Sequence, residues 1–267
     1  MKKSLSFILI LFLLSTSYIS CRKEKGYPHV IPSANVMLID FSNFIPASQQ
    51  SVEKNFDVKG VNQYNWEEAV RIVSPWRELT SVTLSVPLAA YMDIANKKAS
   101  QLSASKWEWS SNVTIIGEVY KVRLTGEVTG SQVKWEMYIS GRFPEFRWLE
   151  GTSNTAGTTG RWTFNESNTE QTALLQIDWT RAGTNIEKIR YTYLKNVLSK
   201  DSYIEYGQAS GSYSSYYTVH YYNTNLFKFS DANIEWNASD AGRIMSADYL
   251  DGNWRCWDSQ KMDDICN

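Results

Sequence analysis

From residue 106 onward, apolar and polar residues alternate over short stretches that are separated by turn-forming residues. Val133, Trp135, Met137 and Ile139, for example, alternate with polar or half-polar neighbours. An alternation of period two is typical of strands that bury one face. Glycine-, asparagine- and serine-rich turns separate these stretches, and connections this short join antiparallel neighbours. Further strands are predicted around 120–125, 162–164, 175–180, 189–193, 203–208, 216–222, 226–229 and 233–236.

These strands predict a mostly β fold. Sequential strands with short connections form an antiparallel meander, either an open curved sheet or an up-and-down barrel. Long two-sided apolar runs are lacking, and this argues against a parallel α/β sheet. We expect one β-rich domain over 36–267, with the main sheet in 106–267.

The part before the main sheet, 36–105, predicts two short helices. One covers 65–73, capped by Asn65 and ended by Pro75, and the second runs from Pro87 to about Gln101. Alternation over 80–86 predicts a strand between them, and 36–39 is a further strand candidate.

The first twenty residues predict a secretory signal peptide. Lys2 and Lys3 precede an apolar run from Leu5 to Leu14, which is too short to span a bilayer. The stretch Tyr18-Ile19-Ser20-Cys21 resembles the bacterial lipoprotein box, with Tyr18 where that pattern usually has Leu. The resemblance implies that Cys21 carries acyl chains and anchors the mature chain to a membrane, followed by a tether over 21–35.

The other two cysteines, Cys256 and Cys266, predict a disulfide in an oxidising envelope compartment. A metal pair is the alternative, but neither a histidine nor a further cysteine lies nearby to complete a ligand set, and we predict no metal site. The acidic segment 240–258 lacks the register of an EF-hand, so a turn-rich segment is favoured and a calcium site is the alternative.

Residues 21–267 as a whole resemble uncharacterised β-rich lipoproteins of Bacteroidetes-type bacteria. The most distinctive stretch of this Trp-rich meander is Trp254-Arg255-Cys256-Trp257-Asp258. The resemblance implies a lipid-anchored protein of the cell envelope, expected at the outer membrane, with the periplasmic or surface side left open. It implies no activity.

Aromatic residues make up 14% of the chain, with 11 Trp, 16 Tyr and 10 Phe, and most fall on the apolar faces of predicted strands. The simplest interpretation is a core. A second interpretation is a binding surface for a glycan or lipid, because aromatic rings line many ligand sites. The candidate ligand-binding residues are Trp107, Trp109, Tyr213, Tyr217 and Tyr221.

Charge and motifs exclude several functions. The net charge is −1, and removal of residues 1–20 would make it −3, so nucleic acid is not an expected partner. Nucleotide-binding, zinc-protease and serine-hydrolase motifs are absent, and His220 is expected to be a strand residue. A glycosidase that uses strand acids is the enzymatic alternative, with Glu136, Asp178, Glu205 and Glu235 as candidates.

The sequence therefore predicts a non-catalytic, lipid-anchored envelope protein without a cofactor. Its aromatic-lined sheet would bind a glycan or lipid. A structural protein, or one that docks to an envelope partner, is the alternative.

Overall fold

The computed structural model describes residues 30–46, 62–249 and 251–266. The predicted signal peptide and Cys21 lie outside the described residues. The described chain contains two 3-10 helices, one long α-helix and a single sheet of 14 strands.

The strands follow one another along the chain. They are β1 (Ser100–Gln101), β2 (Lys106–Ile115), β3 (Glu118–Thr129), β4 (Gln132–Ser140), β5 (Phe146–Asn154), β6 (Thr159–Asn165), β7 (Ala173–Ala182), β8 (Asn185–Tyr193), β9 (Tyr203–Gln208), β10 (Ser215–Asn223), β11 (Lys228–Trp236), β12 (Gly242–Ser246), β13 (Arg255–Trp257) and β14 (Asp263–Asp264).

Each strand pairs with its sequence neighbours, and every pairing is antiparallel. The order runs from β1 to β14 without closure, so the mostly β fold with an open antiparallel meander is confirmed. In such a meander, turns that follow even-numbered strands share one rim of the sheet. Turns that follow odd-numbered strands share the opposite rim.

The elements before the sheet differ in their placement from the prediction. Two short 3-10 helices, Ala34–Met37 and Ser42–Phe44, precede α1, which spans Tyr64–Ala95. The prediction of a strand over 80–86 is wrong, because these residues lie inside α1. The helix thereby joins the two predicted helical regions into one. The strand candidate at 36–39 is also wrong, since Ala34–Met37 is a 3-10 helix.

Helix α1 continues through two prolines because of the face that it buries. A proline inside a helix costs about 3 kcal/mol, since it removes a hydrogen bond and crowds the preceding turn. The buried side chains nevertheless recur every three or four residues, which keeps one face against the sheet. They include Val73, Trp76, Thr80, Leu84, Pro87, Tyr91 and Ile94. We infer that burial of this stripe outweighs the cost of Pro75 and Pro87.

The concave face of the sheet is filled by α1 and by the segment 30–46. Helix α1 contacts β2 and β3 near one edge and β12 to β14 near the other. Tyr191 Oη donates to Met37 O at 2.7 Å and accepts from the Ile39 N–H at 2.8 Å. Tyr217 Oη donates to Asp40 O at 2.5 Å. These hydroxyls satisfy backbone groups that the sheet covers, which ties the segment into the interior.

Tryptophans on the concave face lie over glycines of the neighbouring strand. Trp162 is directly opposite Gly151, and Trp179 is directly opposite Gly160. A Cβ atom on Gly151 would lie 2.4 Å from the Trp162 ring, and one on Gly160 would lie 2.2 Å from the Trp179 ring. The two indoles stack with centroids 5.3 Å apart. The glycines therefore supply the room in which large rings lie flat on a curved sheet.

The C-terminus is joined to the start of α1. Cys256 and Cys266 form the predicted disulfide, which links β13 to the residues after β14. Asn65 Nδ2 donates to Cys256 O at 2.9 Å, and the Asn65 N–H donates to Asp263 Oδ1 at 2.9 Å. The far edge of the sheet is thereby fixed to the helix.

Candidate functional site

Three of the five predicted ligand-binding aromatics belong to the core. Trp107 and Trp109 are only 5% and 4% exposed, and Tyr217 is fully buried. Tyr217 packs against Phe44 and Trp236, with ring centroids 5.4 and 4.5 Å away. The sequence interpretation of these three as ligand contacts is not supported, because the filling of the concave face encloses them.

Tyr213 lies at the opposite end of β10 from the other candidate, Tyr221. The guanidinium of Arg243 lies 4.8 Å from the Tyr213 ring centroid and 4.2 Å from that of Trp254. Arg243 also forms an ion pair with Glu235 at 2.7 Å. The adjoining cavity of about 640 Å³ is lined largely by hydroxyl, amide and acidic side chains of turns.

Tyr221 lines a second cavity, which we call the rim cleft. It lies between α1 and the turns that follow β8 and β10, and its volume is about 380 Å³. This volume falls in the range of about 300–1,000 Å³ that is common for small-molecule sites. Helix α1 supplies an apolar wall from Ile72, Pro75, Trp76 and Leu79, and the strands and turns supply a mixed aromatic and polar wall.

Asp248 holds the polar wall of the rim cleft together. Its carboxylate accepts from Tyr221 Oη at 3.0 Å and from Asn223 Nδ2 at 2.6 Å, and it pairs with Arg71. Arg71 also pairs with Glu68 at 2.6 Å, and this hydrogen bond is the main cause that raises the pKa of Arg71. Burial raises the pKa of Tyr221. The arginine charge is thus matched by two acids.

Other polar groups of the rim cleft are not part of this network of hydrogen bonds and ion pairs. Ser202 is 5% exposed, and its hydroxyl has no hydrogen-bond partner among the described residues. Asn225 and Thr224 are exposed at the mouth, and Tyr193 presents a half-buried ring. The cleft therefore combines an apolar helix wall, aromatic rings and polar groups that can bind a ligand.

Among the residues that organise this cleft, only Tyr221 is a ligand-binding candidate from the sequence. Arg71 and Asp248 are 177 positions apart, so no local pattern brings them together. Asp248 lies in the acidic segment considered for calcium, and Asn223 follows the tyrosine-rich strand. No sequence signal singles out Arg71 from the other basic residues.

The acids considered for glycosidase chemistry lie on strands and pair with basic residues. Asp178 accepts from Arg161 at 2.6 Å, and Glu205 accepts from Arg190 at 2.8 Å. Glu136 forms ion pairs with Lys134 at 3.1 Å and Arg147 at 3.4 Å, and Glu235 pairs with Arg243. His220 Nδ1 lies 2.7 Å from Asp231 Oδ1 on the half-exposed side of β10. Apart from Lys134–Glu136, which lies within β4, these contacts are those of cross-strand ion pairs.

Comparison with protein-family models, curated proteins and solved structures finds no match to this chain. Within 30–46, 62–249 and 251–266, histidine, cysteine and acidic side chains form no group of three that could hold a metal ion. Over the same ranges, no helix has both the length and the apolar character needed to cross a membrane.

Proposed function

We propose that the protein is a non-catalytic, lipid-anchored protein of the cell envelope, whose rim cleft binds a neutral polyhydroxylated group. The observation that carries the proposal is the pairing of an apolar helix wall with Tyr193, Tyr221 and the polar groups around them. A sugar ring has an apolar face that stacks on aromatic rings and hydroxyls that bond to amides and hydroxyls. The sugar of a soluble glycan and that of a glycolipid share this chemistry.

The charge of the cleft favours a neutral ligand. Arg71 is the basic residue of its lining, and Glu68 and Asp248 already pair with it. An anionic ligand would have to displace one of these acids or lie beside it, which costs free energy. Hydroxyl groups can bond to the cleft without disturbing these ion pairs.

Binding to an array of soluble oligosaccharides tests the proposal, followed by titration calorimetry with the strongest binder. The same protein is tested against phosphatidylcholine vesicles with and without a neutral glycolipid, which separates the two sources of the sugar. We expect Tyr193→Ala to weaken sugar binding at least tenfold, about 1.4 kcal/mol. Tyr213→Ala, the matched control on the opposite rim of the sheet, should leave affinity unchanged. Failure of every sugar probe, or equal loss in both variants, would overturn the proposal.

A second candidate function is docking to an envelope protein. The observation that favours it is the filled concave face, where α1 and the segment 30–46 cover the aromatic core. Failure of all sugar probes, with both tyrosine variants still folded, would favour this candidate.

A further inference from the structure

The two rims of the sheet carry different side chains. Turns after even-numbered strands and the adjoining strand ends expose seven large apolar side chains, which we call the apolar rim. They are Ile116, Val119, Val197, Leu198, Leu226, Phe227 and Phe229. Among the described turns of the opposite rim, which we call the polar rim, only Leu102 is a comparably exposed large apolar residue.

The difference extends to backbone positions that favour glycine. Two-residue turns on the polar rim begin with Gly130 at φ 62° and Gly183 at φ 60°. The corresponding position on the apolar rim is Ile116, at φ 51° and 91% exposed. A β-branched residue with positive φ is strained, so its place at an exposed turn is not explained by folding.

The hairpin between β10 and β11 shows the same arrangement. Phe227 has φ 50° and is 80% exposed, and the neighbouring turn after β8 presents Leu198 at 74% exposure. The centres of these two hairpins are two strand spacings, about 10 Å, apart along the sheet. Both tips border the mouth of the rim cleft.

Aromatic and basic side chains lie just behind these tips. His220 stacks on Phe229 with ring centroids 4.7 Å apart and on Tyr203 at 5.4 Å. Lys200 and Lys228 are exposed and form no ion pair with the described residues. Asp201 is the acidic residue of these turns that likewise forms no ion pair with them. Lys195 is held by Glu166 at 2.5 Å. Apolar tips, a layer of aromatic rings and flanking lysines are the arrangement that suits a membrane–water interface.

From this arrangement we propose that the apolar rim inserts Leu198, Phe227 and their neighbours into the surface of a lipid bilayer. The tips belong to separate turns of the rim, after β2, β8 and β10. A bilayer accommodates separate points without shape complementarity, whereas a protein partner would need a matching surface. The proposal does not require the cleft to hold a sugar, and it adds a second contact to the anchor predicted at Cys21.

Site-specific fluorescence on vesicles tests this proposal with the full chain. Leu198→Cys is labelled with an environment-sensitive dye, and Thr184→Cys on the polar rim is the matched control. The parent chain is treated in parallel, so that any dye on Cys21 is subtracted. The vesicles contain phosphatidylethanolamine and phosphatidylglycerol without glycolipid, so the result does not depend on sugar binding.

We expect the dye at position 198 to shift to shorter wavelength and to be quenched by nitroxide lipids at least about three-fold more than the dye at position 184. Adding Phe227→Asn, which suits the positive φ, should reduce that quenching while the chain stays folded. Equal quenching at both positions would overturn the proposal. So would a shift at position 198 that depends on protein concentration without vesicles, since it would indicate contact between copies.

Discussion

The concave face and the apolar rim both contain many large apolar side chains, but these serve different purposes. On the concave face, Trp162 and Trp179 lie over glycines and are covered by α1 and the segment 30–46. On the apolar rim, Ile116 and Phe227 project into solvent from backbone positions that disfavour them. The first set therefore builds the fold, whereas the second set lowers its stability.

The largest expected effect is the loss of stability at alkaline pH. Burial raises the pKa of Tyr91, Tyr191 and Tyr217, so each phenol stays protonated in the fold above the unfolded value of about 10. Their stabilisation is complete below about pH 10 and is lost as pH rises toward the folded pKa. The free energy of unfolding should fall by up to about 4 kcal/mol per pH unit, since each tyrosine contributes about 1.4.

Urea titrations at successive pH values measure this slope, and phenolate absorbance follows the ionisation. Tyr191→Phe should lower the slope by about a third. A free energy of unfolding that does not change above pH 10 would contradict the buried position of these phenols.

Crowding the glycines beneath the tryptophans should have the next largest effect. A Cβ atom on Gly151 would lie 2.2 Å from Arg161 O and 2.4 Å from the Trp162 ring. Gly151→Ala should therefore lower the free energy of unfolding by about 3 kcal/mol, because backbone has to move. Gly183→Ala is the control, since its Cβ atom meets open space and only the positive φ costs about 1 kcal/mol. Equal losses in urea denaturation would show that the rings do not need the glycines.

Removal of a buried tyrosine hydroxyl should lower the free energy of unfolding by a smaller amount. The loss should increase with the number of hydrogen bonds that the hydroxyl makes. Tyr191→Phe removes two hydrogen bonds to the segment 30–46 and should cost about 2 kcal/mol. Tyr217→Phe removes one bond to Asp40 O and should cost about 1 kcal/mol. Thermal unfolding of both variants checks this order, and the reverse order would contradict the account of how the segment is held.

Substitutions on the apolar rim should have the smallest effect, and they should raise the free energy of unfolding instead of lowering it. Asparagine tolerates positive φ better than isoleucine or phenylalanine. Ile116→Asn and Phe227→Asn should each raise the free energy of unfolding by about 0.5–1 kcal/mol. Destabilisation by these variants would mean that the exposed side chains support the fold, and the contrast between the two regions would fail.

Much of the sheet could be predicted from sequence because its signal is local. Alternation locates β4, β7 and β10, and the cysteine spacing locates the disulfide. Helix α1 could not be delimited in this way. Val82, Leu84 and Val86 alternate like a strand, and only tertiary burial shows that Leu84 belongs to a helical stripe with Trp76 and Tyr91.

The rims and the cleft depend on information that the sequence pattern did not supply. The sequence pattern does not predict strand β5. Because successive turns alternate between the two rims, a missed strand assigns every later turn to the wrong rim. The exposed positions of Leu198 and Phe227 could therefore not be assigned to the same rim as Ile116. The cleft likewise depends on Arg71 and Asp248, which only the curvature of the sheet brings together.

Hydrogen–deuterium exchange of the full chain tests most directly the claim that the apolar rim contacts a bilayer. Exchange is compared in solution and on vesicles of phosphatidylethanolamine and phosphatidylglycerol. We expect at least about three-fold slower uptake at 194–202 and 224–227 on vesicles, with no change at the polar-rim turns 183–184 and 237–241. Uptake that is unchanged at both rims, or slowed equally at both, would contradict it.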